Sequence, residues 1–428
     1  MSPSVRSLLD RPPAARTARR AVLALGVLAG ALLPAYFLLL AEASYVARDF
    51  HAYYAAAEAA LEGRPFVGVD SGYPGAAYVY PPIAVLLFLP QTAAGGWQVA
   101  FAIQTAINAA AAAGLAAVTV RTVQRHGPPL PAVDRRLVVG FVLLAAPSVA
   151  VLGLGQVDLL IALALAGGFL ALERDREWLA GAALGAAALV KLFPAALGLW
   201  LLYRRSWRAV AGAAVTGLTG LAAGALLFGV DAYRRYRTVL AGRSRLDAFA
   251  GTVSPDFFAM SLHRPLSQLF PDLDPLLYVP VAAGLLLPPV VAATRHEGGV
   301  AGRLRVFLAA VIATLLLSPA SNSVYVVYVY FPALCLLHLD ADGRNRLPLL
   351  AGTAAIGAPI QPAQVGATLS AVGAPAALRA PILDAAYGVL TVGSVPLFGL
   401  LAVLGWCAFP AADRDGRRPG ADHPTAAD

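Results

Sequence analysis

Apolar runs separated by short polar turns follow one another along this chain, and their lengths predict its architecture. Residues 21–41, 97–120, 137–152, 159–172, 210–228, 276–293, 306–317, 324–339, 347–360 and 387–409 each read as an apolar helix directed at a bilayer. The run 82–90 is too short to span and is bounded by prolines, which predicts a juxtamembrane helix lying at the outer surface. The stretch 179–203 breaks the pattern. It has Arg174 and Arg176 before it and Arg204, Arg205 and Arg208 after it, so one crossing would put a basic cluster on each side. Two short helices meeting near Lys191 and Pro194 keep both clusters on one side, which predicts a re-entrant pair. The expected fold class is therefore all-α, a polytopic membrane protein of about twelve transmembrane helices. No tandem repeat is evident.

Composition narrows the class. Of 428 residues, 59% are hydrophobic and 13% charged, which excludes a soluble domain of this length. The formal charge of +8 comes from arginines in short loops. No basic stripe interleaved with aromatics points to nucleic acid. Arg6, Arg11, Arg16, Arg19 and Arg20 precede the first run, and Arg121, Arg125, Arg135, Arg136, Arg295, Arg303, Arg305, Arg344 and Arg346 fall in alternate turns. By the positive-inside rule these are cytoplasmic. The expectation is a multi-pass cell-membrane protein with both termini inside: a basic N-terminus (1–20), a transmembrane domain (21–410), and a disordered cytoplasmic tail (411–428). Residues 42–96 form a first extracytoplasmic loop carrying juxtamembrane helices, and 231–274 a later one. Ala41-Glu42-Ala43 resembles a signal-peptidase site, but the preceding run is longer than a usual signal h-region and reads as a retained span. Cys335 and Cys407 lie in apolar runs without metal spacing and read as small core residues.

The candidate chemistry gathers on one side of this topology. Lys191 is the only lysine, placed inside an apolar run where a charge costs on the order of 3 kcal/mol. It reads as an ammonium holding an anion in a polar cavity, or as a side chain snorkelling to lipid headgroups. The outer turns supply Arg48, Asp49, His51, Tyr53 and Tyr54; Tyr78 and Tyr80; Gln156 and Asp158; and Ser318, Ser321, Asn322, Ser323 and Tyr325. The later loop adds Arg234, Arg235, Arg237, His263 and Arg264. A carboxylate beside cations, roofed by tyrosines, suits removal of a proton from a sugar hydroxyl while a phosphate departs. Each residue also has a local reading: Asp49 paired with Arg48, Asp158 capping a helix, His51 in a loop, Gln156 satisfying backbone groups.

Five short motifs occur in order: Asp49-Phe50-His51-Ala52-Tyr53, Tyr80-Pro81-Pro82, Gly155-Gln156-Val157-Asp158, Lys191-Leu192-Phe193-Pro194 and Ser318-Pro319-Ala320-Ser321. Together, from about residue 40 to about 335, they resemble glycosyltransferase family 87, polyprenyl-phosphate-mannose-type transferases of the multi-spanning GT-C superfamily. The resemblance implies transfer of a hexosyl group, most commonly mannosyl, from a polyprenyl- or dolichyl-phosphate donor to a lipid-linked or envelope glycan. It implies reaction at the extracytoplasmic face with inversion at the anomeric carbon. The family's general base falls on Asp49, and its lysine near the donor phosphate falls on Lys191, with Arg264 as a further candidate. Arg48, His51, Tyr53, Tyr80, Gln156, Asp158, Ser321, Asn322 and Tyr325 are the expected substrate-binding set. Two departures stand out: Val324 and Tyr325 occupy positions where many members carry histidines, and Ala259-Met260-Ser261 stands where an Asn-Gln-Ser element often lies.

No cofactor is required for such chemistry. A divalent cation is compatible with it, although Asp49 and Asp158 lack an evident third carboxylate. The competing class is a secondary transporter using Lys191 as an anion or proton site. Against it, no inverted repeat is visible and the polar residues cluster at the outer surface. A non-catalytic scaffold in envelope assembly has no feature in its favour.

Overall fold

The computed structural model describes residues 12–39, 46–73, 75–242, 246–257, 259–295, 297–339 and 346–409. The first basic residues and the C-terminal tail, 411–428, lie outside the described residues, as does the Ala41-Glu42-Ala43 segment. Among the described residues the structure is helical, with a single isolated antiparallel bridge between Asp70 and Ala77.

The first helix among the described residues is α1 (Pro12–Leu39), and α2 (Arg48–Leu61) follows it. Residues Pro82–Leu87 form a 3-10 turn that runs into the one-turn helix Leu89–Thr92. Then come α3 (Trp97–His126), α4 (Ala132–Leu144), α5 (Ala146–Leu154) and α6 (Asp158–Leu172). Pro131 and Pro147 sit at helix starts, where a missing N–H costs nothing.

The stretch around Lys191 folds as two short helices. α7 (Glu177–Val190) ends at Lys191, whose backbone is extended, and a 3-10 turn (Phe193–Ala196) leads into α8 (Leu197–Tyr203). The far ends of α7 and α8 return to one place. Arg204 Nη1 lies 3.8 Å from Glu173 Oε1, and the backbone N–H of Arg208 donates to Glu177 at 3.2 Å.

The second half comprises α9 (Trp207–Phe228), α10 (Val230–Gly242), α11 (His263–Leu269), α12 (Tyr278–Thr294) and α13 (Gly299–Leu317). It continues with α14 (Tyr330–Leu339), α15 (Leu347–Gly357), α16 (Pro362–Ala371), α17 (Ala376–Val392) and α18 (Val395–Ala408).

Among the described residues six helical stretches are long and apolar enough to cross a membrane, α4 and α5 counting together as one, or seven if α17 and α18 count as one bent span. The expected total of about twelve includes the shorter apolar helices, α6, α7, α14 and α15 among them, which do not meet that length. The single crossing expected over 387–409 is instead broken at Gly393-Ser394, where α17 and α18 meet at a 54° bend. Ser394 accepts a hydrogen bond from Leu397 N–H and starts a new helix, a local device that overrides the continuous apolar pattern.

Burial separates inner from outer helices. In the most apolar window of α13, 67% of residues are buried, against 11% for α9 and 17% for α1. The leucines left bare on α9, such as Leu218 and Leu226, are what a lipid-facing helix presents. α7 and α9 approach closely through glycine. A Cβ on Gly181 would lie 2.0 Å from the carbonyl oxygen of Ala209.

Polar side chains segregate to two ends of the bundle. One end carries ion pairs, Arg20 with Asp134 at 2.6 Å and Arg303 with Glu173 at 2.6 Å. The starts of α2, α3 and α6 and the Lys191 hinge lie at the other end.

Candidate active site

The turn between α5 and α6 organises this second end. The backbone N–H of Ala47 donates to the carbonyl of Gly153 at 2.7 Å, docking the start of α2 against the turn. Gly155 has φ +72°, and a Cβ there would sit 2.6 Å from Cβ of Phe50, so only glycine allows both the bend and the approach. The carbonyl of Gln156 is held by Nδ2 of Asn108 at 2.5 Å and Nε2 of Gln104 at 3.3 Å, both from α3. Gln104 Oε1 in turn accepts from Nε2 of Gln91 at 2.9 Å. The main chain at Gln156 is thus pinned by two amides of α3.

Its side chain stands between the two charged groups singled out in the sequence. Nε2 of Gln156 donates to Oδ2 of Asp49, in the first turn of α2. Oε1 accepts from the Lys191 ammonium at 3.1 Å. The ammonium also donates to Oδ1 of Asp158 at 2.6 Å, and Tyr328 donates its hydroxyl to the same oxygen. The rings of Tyr325 and Tyr80 lie 4.2 and 5.6 Å from Lys191 Nζ, a cation–π enclosure. Lys191 is 4% exposed and Asp158 fully buried. The two carboxylates sit at helix N-termini, where the dipole favours negative charge. Burial pushes the Asp49 carboxyl above the usual carboxylate range, against the opposing pull of the Gln156 hydrogen bond and the Lys191 charge.

A cavity of about 640 Å³ opens beside this chain of groups. One wall is apolar: Leu33, Pro34 and Phe37 of α1 with Pro147, Val149, Ala150 and Leu154 of α5. The other is polar, built from Asp256, Asn322, Ser323, Gln361 and Gln364. Arg48, Asp49 and Gln156 line the same cavity, and Arg48 is the one cation among the described lining residues.

The structure therefore brings Asp49, Gln156, Lys191, Asp158, Tyr80 and Tyr325 together and puts Arg48 and Asn322 on the same cavity. Tyr53 stands behind, its hydroxyl 2.7 Å from that of Tyr80 and its ring stacked on Phe88. His51 points elsewhere, packed between Tyr73 at 4.4 Å and Trp97 at 4.3 Å. Ser321 is buried, and its carbonyl accepts from Met260 N–H at 3.2 Å, joining the Ala259-Met260-Ser261 segment to the Ser-Pro-x-Ser turn.

Two expectations need correction. Arg264 does not face the cavity: its guanidinium donates to the carbonyls of Phe257 (2.8 Å), Pro255 (2.7 Å), Thr391 (3.3 Å) and Leu390, clasping the 255–257 segment to α17. Lys191 does not line the cavity either; its ammonium is enclosed by Asp158, Gln156 and Tyr325.

Sequence reading missed Gln104 and Asn108, although two amides four residues apart in an apolar span are a visible signal. It also missed Tyr328, and Gln361 and Gln364 at the start of α16, where nothing local marks them. Among the described residues no group of three or more His, Cys, Asp or Glu side chains gathers as a metal site.

Helical spans with a half-buried carboxylate lining an amphiphilic cavity define a membrane protein that handles polar groups at a lipid boundary. The profile of glycosyltransferase family 87 matches residues 78–319, more than half of the chain, and the chain belongs to that family. It is a membrane glycosyltransferase, and the transporter alternative is set aside. It is 28% identical over 410 residues to the polyprenol-phosphate-mannose-dependent alpha-(1-2)-phosphatidylinositol pentamannoside mannosyltransferase of Mycolicibacterium smegmatis, covering 93% of each chain. It also matches two crystal structures of ArnT from Cupriavidus metallidurans. The undecaprenyl-phosphate complex has TM-score 0.43 and 15% identity, over 91% of this chain and 76% of that one. The apo state has TM-score 0.36 and 16% identity, over 88% and 76%.

Proposed function

We propose that this protein transfers a mannosyl group from a polyprenyl monophosphate to a lipid-linked or envelope glycan, with inversion, on the membrane face opposite its arginine-rich turns. The observation that carries the reading is the two-walled cavity. An amphiphile with a prenyl chain on the α1–α5 wall would set its phosphate and sugar beside Arg48 and Asp49. The relative from Mycolicibacterium smegmatis supports polyprenol-phosphate mannose as the donor. The positive-inside rule supports an extracytoplasmic site and cytoplasmic termini.

In this reading the acceptor hydroxyl oxygen attacks C1 of the sugar as its proton passes to Asp49. The bond from C1 to the phosphate oxygen breaks on the opposite side, which inverts the centre, and polyprenyl phosphate leaves. Arg48 takes the developing negative charge on that phosphate. Burial suits Asp49 to the role, because a raised pKa brings a carboxylate closer to the working pH of a general base. The step needs no group beyond donor, acceptor and these side chains.

The test is purified protein in lipid nanodiscs with polyprenyl-phosphate mannose, profiled against other lipid-linked sugars and a panel of glycolipid acceptors. Mannose transfer that disappears in Asp49→Asn supports the reading. Transfer from another sugar carrier, or unimpaired transfer by Asp49→Asn, overturns the donor or the base respectively.

A further inference from the structure

An ammonium can only donate hydrogen bonds. The side-chain oxygen of Gln156 must therefore face Lys191, and its NH2 must face Asp49. This amide's orientation follows from its neighbours, with no freedom to flip. The remaining charge on Lys191 is answered by Asp158, which Tyr328 also steadies. The carboxamide thus reaches Asp49, a residue that lines the cavity, as a neutral donor to its Oδ2. A direct lysine–Asp49 pair would have drawn the carboxylate's basicity down by Coulomb attraction; an interposed amide orients it with a weaker pull.

We propose that Lys191 is a positioning residue that acts through Gln156, locking its carboxamide so that Asp49 is held in place for the acceptor hydroxyl, and that it does not hold the donor phosphate. The inference rests on the base assignment to Asp49. It extends that assignment by naming what sets the base. Side chains that rotate freely lose the alignment on which proton transfer depends, and misplacement of about 1 Å costs roughly 100-fold in rate.

The experiment compares Lys191→Met, Gln156→Leu, the two combined, and Lys191→Met/Asp158→Asn in nanodiscs with polyprenyl-phosphate mannose. The last variant removes both buried charges and so guards against a folding failure in the first. The expected result is a fall in kcat of about 100-fold in each, with donor KM within about 3-fold of the parent. The combined Lys191→Met/Gln156→Leu should be no worse than Gln156→Leu alone, because the two act in series. The acid limb of the kcat profile should move to higher pH in Lys191→Met/Asp158→Asn, since the carboxylate loses a donated hydrogen bond.

Donor KM raised ten-fold or more with kcat retained would make Lys191 a phosphate ligand and overturn the proposal. So would an unmoved acid limb with near-parental kcat, which is what a purely structural lysine gives. Asp49→Asn run alongside separates the two failures. If that variant still transfers sugar, the base reading falls; if it is inactive and the Lys191 variants meet either overturning result, only the relay falls.

Discussion

Replacing Asp158 by asparagine removes a charge without opening a cavity. Asp158 Oδ1 lies 2.6 Å from Lys191 Nζ, and the two side chains are 0% and 4% exposed. At that distance Coulomb attraction is about 6 kcal/mol for an effective dielectric constant of about 20, much of it offset by desolvation of the two ions. Removing the partner's charge leaves the ammonium with neutral acceptors alone, Gln156 Oε1 and the amide oxygen of the substituted side chain, beside the aromatic faces, a loss of up to roughly 3–5 kcal/mol. Spread over an unfolding entropy of about 2.1 cal/mol/K per residue, this lowers the unfolding temperature by roughly 3–6 °C. Lys191→Met/Asp158→Asn removes both ions and should recover most of that loss, because a buried pair is worth little against apolar groups of similar volume. Activity should not recover with stability, since no ammonium remains to orient Gln156. The assay is thermal unfolding of purified protein in detergent, with sugar transfer measured on the same samples. An Asp158→Asn variant as stable as the parent would refute the reasoning, as would a double variant no more stable than Asp158→Asn.

Three further predictions follow from single contacts. Asp49→Asn should lower kcat by about 10²–10⁴-fold. A carboxyl whose folded pKa is raised contributes stability at low pH that is lost as pH rises through that pKa. Asp49→Asn should therefore unfold at a higher temperature than the parent at neutral pH, and the gap should close on acidification; a variant less stable at neutral pH would contradict the burial argument. Gly181→Ala should cost about 1–3 kcal/mol in thermal unfolding, because its Cβ meets the Ala209 carbonyl at 2.0 Å and Ala213 N at 2.7 Å. Gly167→Ala, with nothing within 4 Å, is the control that should be neutral or better. Arg264→Met should lower the unfolding temperature and leave donor KM near the parental value, since four carbonyls lose their donor. A large rise in donor KM at unchanged stability would return Arg264 to the phosphate.

The stretch around Lys191 shows what a sequence can carry. Basic clusters on both sides of one apolar stretch leave few arrangements that keep arginine on one side, and α7 and α8 adopt the one expected, turning at Lys191. The break between α17 and α18 shows the limit. Its only local signs are Gly393 and Ser394 inside an apolar run, and helix propensity alone does not say that a chain will bend there. Arg264 was misjudged for a related reason: an arginine beside a polar turn satisfies a phosphate or four carbonyls equally well, and the path of α17 decided between them.

Hydropathy and charge placement determined by themselves that this is a helical membrane protein, which of its ends carries the arginines, and that acid, amide and lysine gather at the other. Those are properties of runs and turns, and each is settled within a few tens of residues. Only the tertiary structure decided that Gln156 stands between Asp49 and Lys191, that Asp158 and Tyr328 enclose the ammonium, and that α16 completes the cavity wall. Such contacts join residues 107, 35 and 170 positions apart. Their hydrogen bonds depend on angles and distances that no local pattern encodes.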